Sequence, residues 1–136
     1  MHTLQPHWTR RLLAALAIVA SVFSVTTVVA PAADAAVYGS CTQSRCSAAR
    51  SARDIWASKG WPTSSGWYSW PTGQYNYTGG TFSNRERQLP LNDTYSEYDV
   101  YPRARNAARD AYRIVRDRNN GVVYFSPDHY SNFYKL

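Results

Sequence analysis

Leu12 to Ala30 is an almost unbroken apolar run, preceded by Arg10 and Arg11 and followed by Ala33-Asp34-Ala35. A basic pair, an apolar stretch and a small-x-small site are the layout of a cleaved export signal. Residues 1–35 are therefore expected to be a signal peptide and residues 36–136 the mature, secreted protein. No other feature constrains the fold as strongly, because about 101 residues remain, enough to bury one hydrophobic core and too few for two. Arg-Arg directly before the apolar run also fits a twin-arginine signal, so the export route stays open. An apolar stretch of this length also suits a membrane span. The cleavage site argues for removal, and no membrane attachment is expected afterwards.

Export to an oxidising compartment sets the reading of Cys41 and Cys46, the only cysteines. They are expected to form a disulfide, a local staple, since so short a loop removes little unfolded-state entropy. With one histidine left after the signal, the mature chain has no zinc-type ligand set, and no metal or cofactor is expected. The formal charge of +6 drops to about +5 without Arg10, Arg11 and Asp34, which favours a polyanionic partner. Acid-base chemistry has few candidates, because the mature chain keeps only His129, Glu86 and Glu97 as histidine or glutamate.

Ser47 to Lys59 has the spacing of a helix, with Ala48, Ala52, Ile55, Trp56 and Lys59 on one face, Ser47 as cap, and Gly60 and Pro62 as stop. Residues 61–80, dense in Trp, Tyr, Gly, Pro, Ser and Thr, are expected to be turn-rich loop. Thr94 to Tyr101 alternates as a strand, with Tyr95, Glu97, Asp99 and Tyr101 on one face and Thr94, Ser96, Tyr98 and Val100 on the other. Val122 to Phe125 is a second β-prone run, entered through the turn signal Asn119-Asn120-Gly121. Tyr130 to Tyr134 suits a last strand. Arg103 to Asp117 has helical periodicity through Ala104, Ala107, Ala108, Ala111, Ile114 and Val115. The expected class is α+β, an N-terminal helix packed on an antiparallel sheet.

Three strings carry the chemistry: Phe82-Ser83-Asn84-Arg85-Glu86 with Leu89-Pro90, Glu97-Tyr98-Asp99-Val100, and Asp128-His129-Tyr130, with Arg109-x-x-x-Arg113 between the last two. In this order and spacing the chain resembles the microbial guanyl-specific ribonucleases, the secreted family that includes barnase. The likeness covers Phe82 to Leu136 well and the upstream helix only in kind. Fungal members add a second site histidine that the mature chain lacks, so the bacterial branch is the nearer likeness. Arg87 stands where relatives often have a small residue, and the spacing from Glu97 to the arginine pair is about one residue longer than in some relatives.

The resemblance implies the microbial ribonuclease fold and a residue-by-residue site. Glu97 falls at the catalytic base position and His129 at the catalytic acid position. Arg109 and Arg113 match the pair that contacts the reacting phosphate, which puts Tyr112 to Asp117 on a strand despite its helical period. Phe82, Ser83, Asn84, Arg85 and Glu86 match the guanine loop. There, backbone N–H groups around Asn84 and Arg85 read the base, and the Glu86 carboxylate accepts from its N1 and N2 edge. Phe82 and Tyr130 flank the site, Tyr130 touching base or phosphate. The implied partner is single-stranded RNA, cut by a monomer without cofactor, with an acidic barstar-like inhibitor as a further implied partner.

The chemistry is self-consistent. The 2′-hydroxyl of RNA is an internal nucleophile, so a carboxylate that takes its proton and an imidazolium that protonates the departing 5′-oxygen suffice, each contributing roughly 10² to 10⁴-fold. Fixed guanidiniums meet the charge that builds on phosphate. The competing reading is a non-catalytic, basic, aromatic-rich secreted module that binds polymers. Arg103, Arg105, Arg116 and Arg118 are expected to be solvated charge or a diffuse attraction for RNA, Trp56, Trp61, Trp67 and Trp70 core and loop packing rather than a ligand platform, and Asp128 either an orienter of His129 or an Asx turn.

Overall fold

The computed structural model describes residues 20–27 and 36–136. Residues 20–27 are irregular and exposed, and the rest of the expected signal peptide lies outside the described residues. Residues 36–136 form one helix and one seven-stranded sheet, an α+β fold: β1 (Val37–Tyr38), α1 (Cys46–Ser58), β2 (Gly66–Ser69), β3 (Tyr75–Phe82), β4 (Tyr95–Asp99), β5 (Arg113–Asp117), β6 (Val123–Ser126) and β7 (Phe133–Lys135). The sheet runs β1-β7-β6-β5-β4-β3-β2. Every pairing is antiparallel except β1 with β7, an edge that the strand pattern did not foreshadow.

The helix starts one residue earlier than its pattern predicts. Arg45 is the N-cap and no side chain caps it, so Ser47 lies inside the helix, where its carbonyl accepts from Ser51 Oγ. The start is held instead by the Cys41–Cys46 disulfide, with both sulfurs buried in the helix-side core. At the other end the Gly60 N–H bonds the Ala57 carbonyl and the Trp61 N–H the Trp56 carbonyl. This Schellman closure requires left-handed backbone, which Gly60 provides at φ 76°.

Ala49, Ala52 and Trp56 of α1 pack against Tyr98, Val100, Ile114 and Phe125 of the sheet and its margins. Trp56 is fully buried and its indole N–H donates to the Asp99 carbonyl at 2.9 Å, so the largest side chain in the core leaves no polar atom unsatisfied. On the opposite face a smaller cluster of Leu89, Tyr95, Val115, Tyr124 and Phe133 lies under the functional loops. With both faces covered, all five residues of β4 are buried. The expected alternation holds through Val100, with Tyr98 and Val100 entering the helix-side core and Tyr95 the other; Tyr101, beyond the strand's end at Asp99, packs on the helix side instead of the face of Tyr95.

Two segments depart from their local patterns. Half of residues 61–80 is strand rather than loop: Trp67-Tyr68-Ser69 and Tyr75-Asn76-Tyr77 pair as a hairpin, with Trp67 opposite Tyr77, around a turn at Pro71 to Gly73. The aromatics that disguised a period were the β-formers, alternating with small polar residues. Arg113–Asp117 is strand rather than helix, because Ile114 enters the helix-side core while Val115 enters the opposite cluster, an alternation only a strand supplies.

Candidate active site

β3 and β4 pair with a register shift between Thr78 and Gly80. Such a bulge re-aims side chains, and here it makes room for a carboxylate. A Cβ on Gly79 would stand 1.5 Å from Glu97 Oε1. Glycine is required at this position by space, not by backbone angle. Gly79→Ala is therefore expected to displace Glu97 while leaving the sheet paired, lowering kcat/KM about a hundredfold or more. A Gly79→Ala protein that cleaves RNA at the wild-type rate would contradict this.

The Glu97 side chain is 9 % exposed and paired with Arg109 and Arg113. Arg109 Nη2 donates to its two oxygens at 3.0 and 2.9 Å, and the Tyr130 hydroxyl donates to Oε2. Arg113 Nε stands 3.4 Å from Oε2 and, among the described residues, this buried N–H has no hydrogen-bond partner. It is a donor held at the carboxylate but not consumed by it. Burial raises the Tyr130 phenol above its usual pKa and the Glu97 charge adds to this, so Tyr130 stays a donor through the neutral range. For Arg109 burial works against the charged form, but hydrogen bonds to Asp99 and Glu97 outweigh it and its pKa rises.

Behind this shell lies Asp99, whose place on the face of Glu97 was expected but whose role was not. Its side chain is fully buried and meets three arginines: Arg103 Nη2, Arg109 Nη2 at 2.5 Å and Arg113 Nη1 at 3.3 Å. Arg103 is consequently not the solvated charge expected, since its side chain is only 14 % exposed. Arg118 is also engaged, donating to Ser96 Oγ at 2.6 Å and Thr81 Oγ1 at 3.2 Å.

Thr81, Phe82, Ser83, Arg85, Glu86, Glu97 and Tyr130 line one open cleft of about 250 Å³. Five of the six residues expected for the base site are thus gathered around Glu97, with Thr81 in addition. Asn84 is the sixth and does not line the cleft. Its side chain braces the loop, donating to the Leu89 carbonyl at 2.9 Å and accepting from the Leu89 N–H at 3.1 Å. At φ 48° it is left-handed, a conformation asparagine tolerates better than most residues. The Phe82 and Tyr130 rings stand 4.7 Å apart as one wall.

His129 is exposed beside this wall, its ring 4.9 Å from that of Tyr130. Its backbone and that of Tyr130 are left-handed, at φ 52° and 71°. Asp128 maintains the turn: Oδ1 accepts from Ser126 Oγ at 3.1 Å and the Asn132 N–H at 2.8 Å, Oδ2 from Asn132 Nδ2 at 2.7 Å. Of the two roles open to Asp128 its bonds match the turn, and the His129 N–H is held by the Ala111 carbonyl.

Among the described residues no group of three His, Cys, Asp or Glu side chains is arranged to hold a metal. A search of curated proteins gives no significant match. A family profile described as ribonuclease matches residues 32–136, the whole helix-and-sheet unit with its cleft. The chain therefore belongs to the ribonuclease family and is an RNA-cleaving enzyme.

Proposed function

We propose that the protein is an exported endoribonuclease that cuts single-stranded RNA on the 3′ side of guanosine, through a 2′,3′-cyclic phosphate and without metal. The observation that carries this reading is the position of Glu97 in the wall of the cleft lined by Thr81, Phe82, Ser83, Arg85, Glu86 and Tyr130, held by two guanidiniums and a phenol. A base bound in the cleft has its ribose beside a carboxylate.

Glu97 takes the 2′-hydroxyl proton, and the 2′-oxygen attacks phosphorus. His129, as imidazolium, protonates the departing 5′-oxygen. Water then opens the cyclic ester with the roles exchanged, His129 as base and Glu97 as acid. The Arg113 N–H that lacks a partner and the Arg109 guanidinium meet the charge that grows on the phosphate oxygens. DNA lacks the nucleophile and is expected to survive. Membership of the ribonuclease family sets aside the non-catalytic binding module.

Guanine alone offers N1–H and N2–H₂ side by side on its Watson-Crick edge, which single strands expose. Glu86, exposed on the cleft rim, is the acceptor for both. The test is a short RNA with one guanosine, incubated with EDTA and read by mass. Wild type is expected to make a single cut that leaves guanosine 2′,3′-cyclic phosphate. Glu86→Gln is expected to lower the preference for guanosine over adenosine by about ten- to a hundredfold, the cost of one unmatched polar group. Unbiased cutting by wild type would refute the specificity, and an undiminished bias in Glu86→Gln would refute the role of Glu86.

A further inference from the structure

The β2–β3 hairpin carries aromatics on both faces, and on the face away from the helix only Phe82, at its end, reaches a core cluster. Tyr68 and Trp70 belong to the helix-side core. Trp67, Tyr75 and Tyr77 point the other way, are half-buried and belong to neither core cluster. They share their face with Gly79 and Glu97, as the alternation of β3 and the closeness of the Gly79 Cβ position to Glu97 require.

Each ring is matched to an arginine. Arg109 lies over Tyr77 at 4.6 Å, Arg103 over Trp67 at 5.0 Å and Arg105 over Tyr75 at 5.2 Å. Trp67 and Tyr77 face each other across the hairpin with ring centres 5.2 Å apart. Arg109 is the same guanidinium that binds Glu97, so the aromatic strip is continuous with the candidate catalytic centre. Arg105 is exposed, with its guanidinium over the Tyr75 ring. Half-buried aromatic rings interleaved with guanidiniums on one face of a sheet are the chemistry that holds single-stranded nucleic acid, bases on rings and phosphates on cations.

We propose that the outer face of the β2–β3 hairpin is an extended RNA-binding platform that holds the strand 3′ of the cut. The inference rests on the guanosine-directed reading above. Along β3, Phe82 belongs to the base cleft, Gly79 lies beneath Glu97, and Tyr77 and Tyr75 follow away from the cleft. The guanosine and the platform thus lie on opposite sides of the carboxylate. With guanine in its cleft and its 3′-phosphate at Glu97, the chain that continues across the carboxylate is the one beyond the scissile bond. From Gly79 to Tyr75 the strand covers roughly 13 Å, at about 3.3 Å per residue. The preference for guanosine is set in the cleft, and the platform adds grip without base choice, since every base has a stackable face.

The test compares kcat/KM for three substrates: a guanosine-first dinucleotide, the same dinucleotide extended at its 3′ end, and one extended at its 5′ end. Wild type is expected to prefer the 3′-extended substrate to the dinucleotide. Trp67→Leu, which keeps apolar bulk on the edge strand, is expected to reduce that ratio about five- to a hundredfold. Arg105→Ala is expected to make the 3′-extended reaction less sensitive to salt. A ratio unchanged in Trp67→Leu, with its thermal midpoint at the wild-type value, would overturn the platform. Loss confined to the 5′-extended substrate would overturn its direction. Wild type that fails to cut the dinucleotide after guanosine would instead overturn the guanosine reading itself.

Discussion

Replacing His129 with asparagine is expected to lower RNA cleavage by about 10² to 10⁴-fold while the protein stays folded. Asparagine is the informative substitution because residue 129 has φ 52°, and asparagine accepts left-handed backbone that alanine resists. The ring is exposed and belongs to neither core cluster, so little packing is lost. Glu97→Gln is expected to lose activity to the same degree for the opposite reason, since the amide cannot take the 2′-hydroxyl proton. The two variants are separable by pH. A reaction that needs one base and one acid should give the wild type a bell-shaped pH–rate profile. Glu97→Gln should lose the acid limb in its residual activity, and His129→Asn the alkaline limb. Wild-type rates in both variants would sink the assignment of base and acid.

The largest loss of stability is expected from Asp99→Asn. Asp99 has a side-chain exposure of 0 % and is the common counter-ion of Arg103, Arg109 and Arg113. Removing one partner of a buried ion pair leaves uncompensated charge and costs about 3 to 5 kcal/mol. Arg113, with 3 % side-chain exposure, has little recourse to water. Arg109, at 30 %, can turn partly to solvent, which moderates the loss. Urea unfolding would read the change, and a midpoint equal to wild type would show that Asp99 is not the anchor. Activity should fall further than stability explains, because Arg109 and Arg113 are held toward Glu97 from behind by this carboxylate. Under conditions where Asp99→Asn is fully folded, kcat should therefore remain below wild type.

Asp99 also marks the limit of what local pattern reveals. Its place in an alternating strand put it on the face of Glu97, and that was legible. Its burial was not. An aspartate beside an exposed-looking glutamate reads as solvated until the 103–113 loop folds over it, bringing three arginines whose helical period gave no hint of this. The hairpin at β2–β3 was hidden differently: glycine, proline and serine suggested turns, while the tryptophans and tyrosines between them were pairing across strands. Ser47 was named as cap because its type suits that role, but the disulfide already fixes the helix start.

From the sequence alone came the α+β class, the helix, the Cys41–Cys46 pairing, the strand around Glu97 and most of the residues that line the cleft beside it. These depend on contiguous strings, on short-range periodicity, or on there being only two cysteines to pair. Only the tertiary structure decided which arginine pairs with which carboxylate, that Gly79 is hollowed out for Glu97, and that Trp67, Tyr75 and Tyr77 lie against arginines outside both core clusters. Charge pairing and burial are set by neighbours remote in the chain, and a side chain's energy depends on whether water or protein surrounds it, which no local window of residues records.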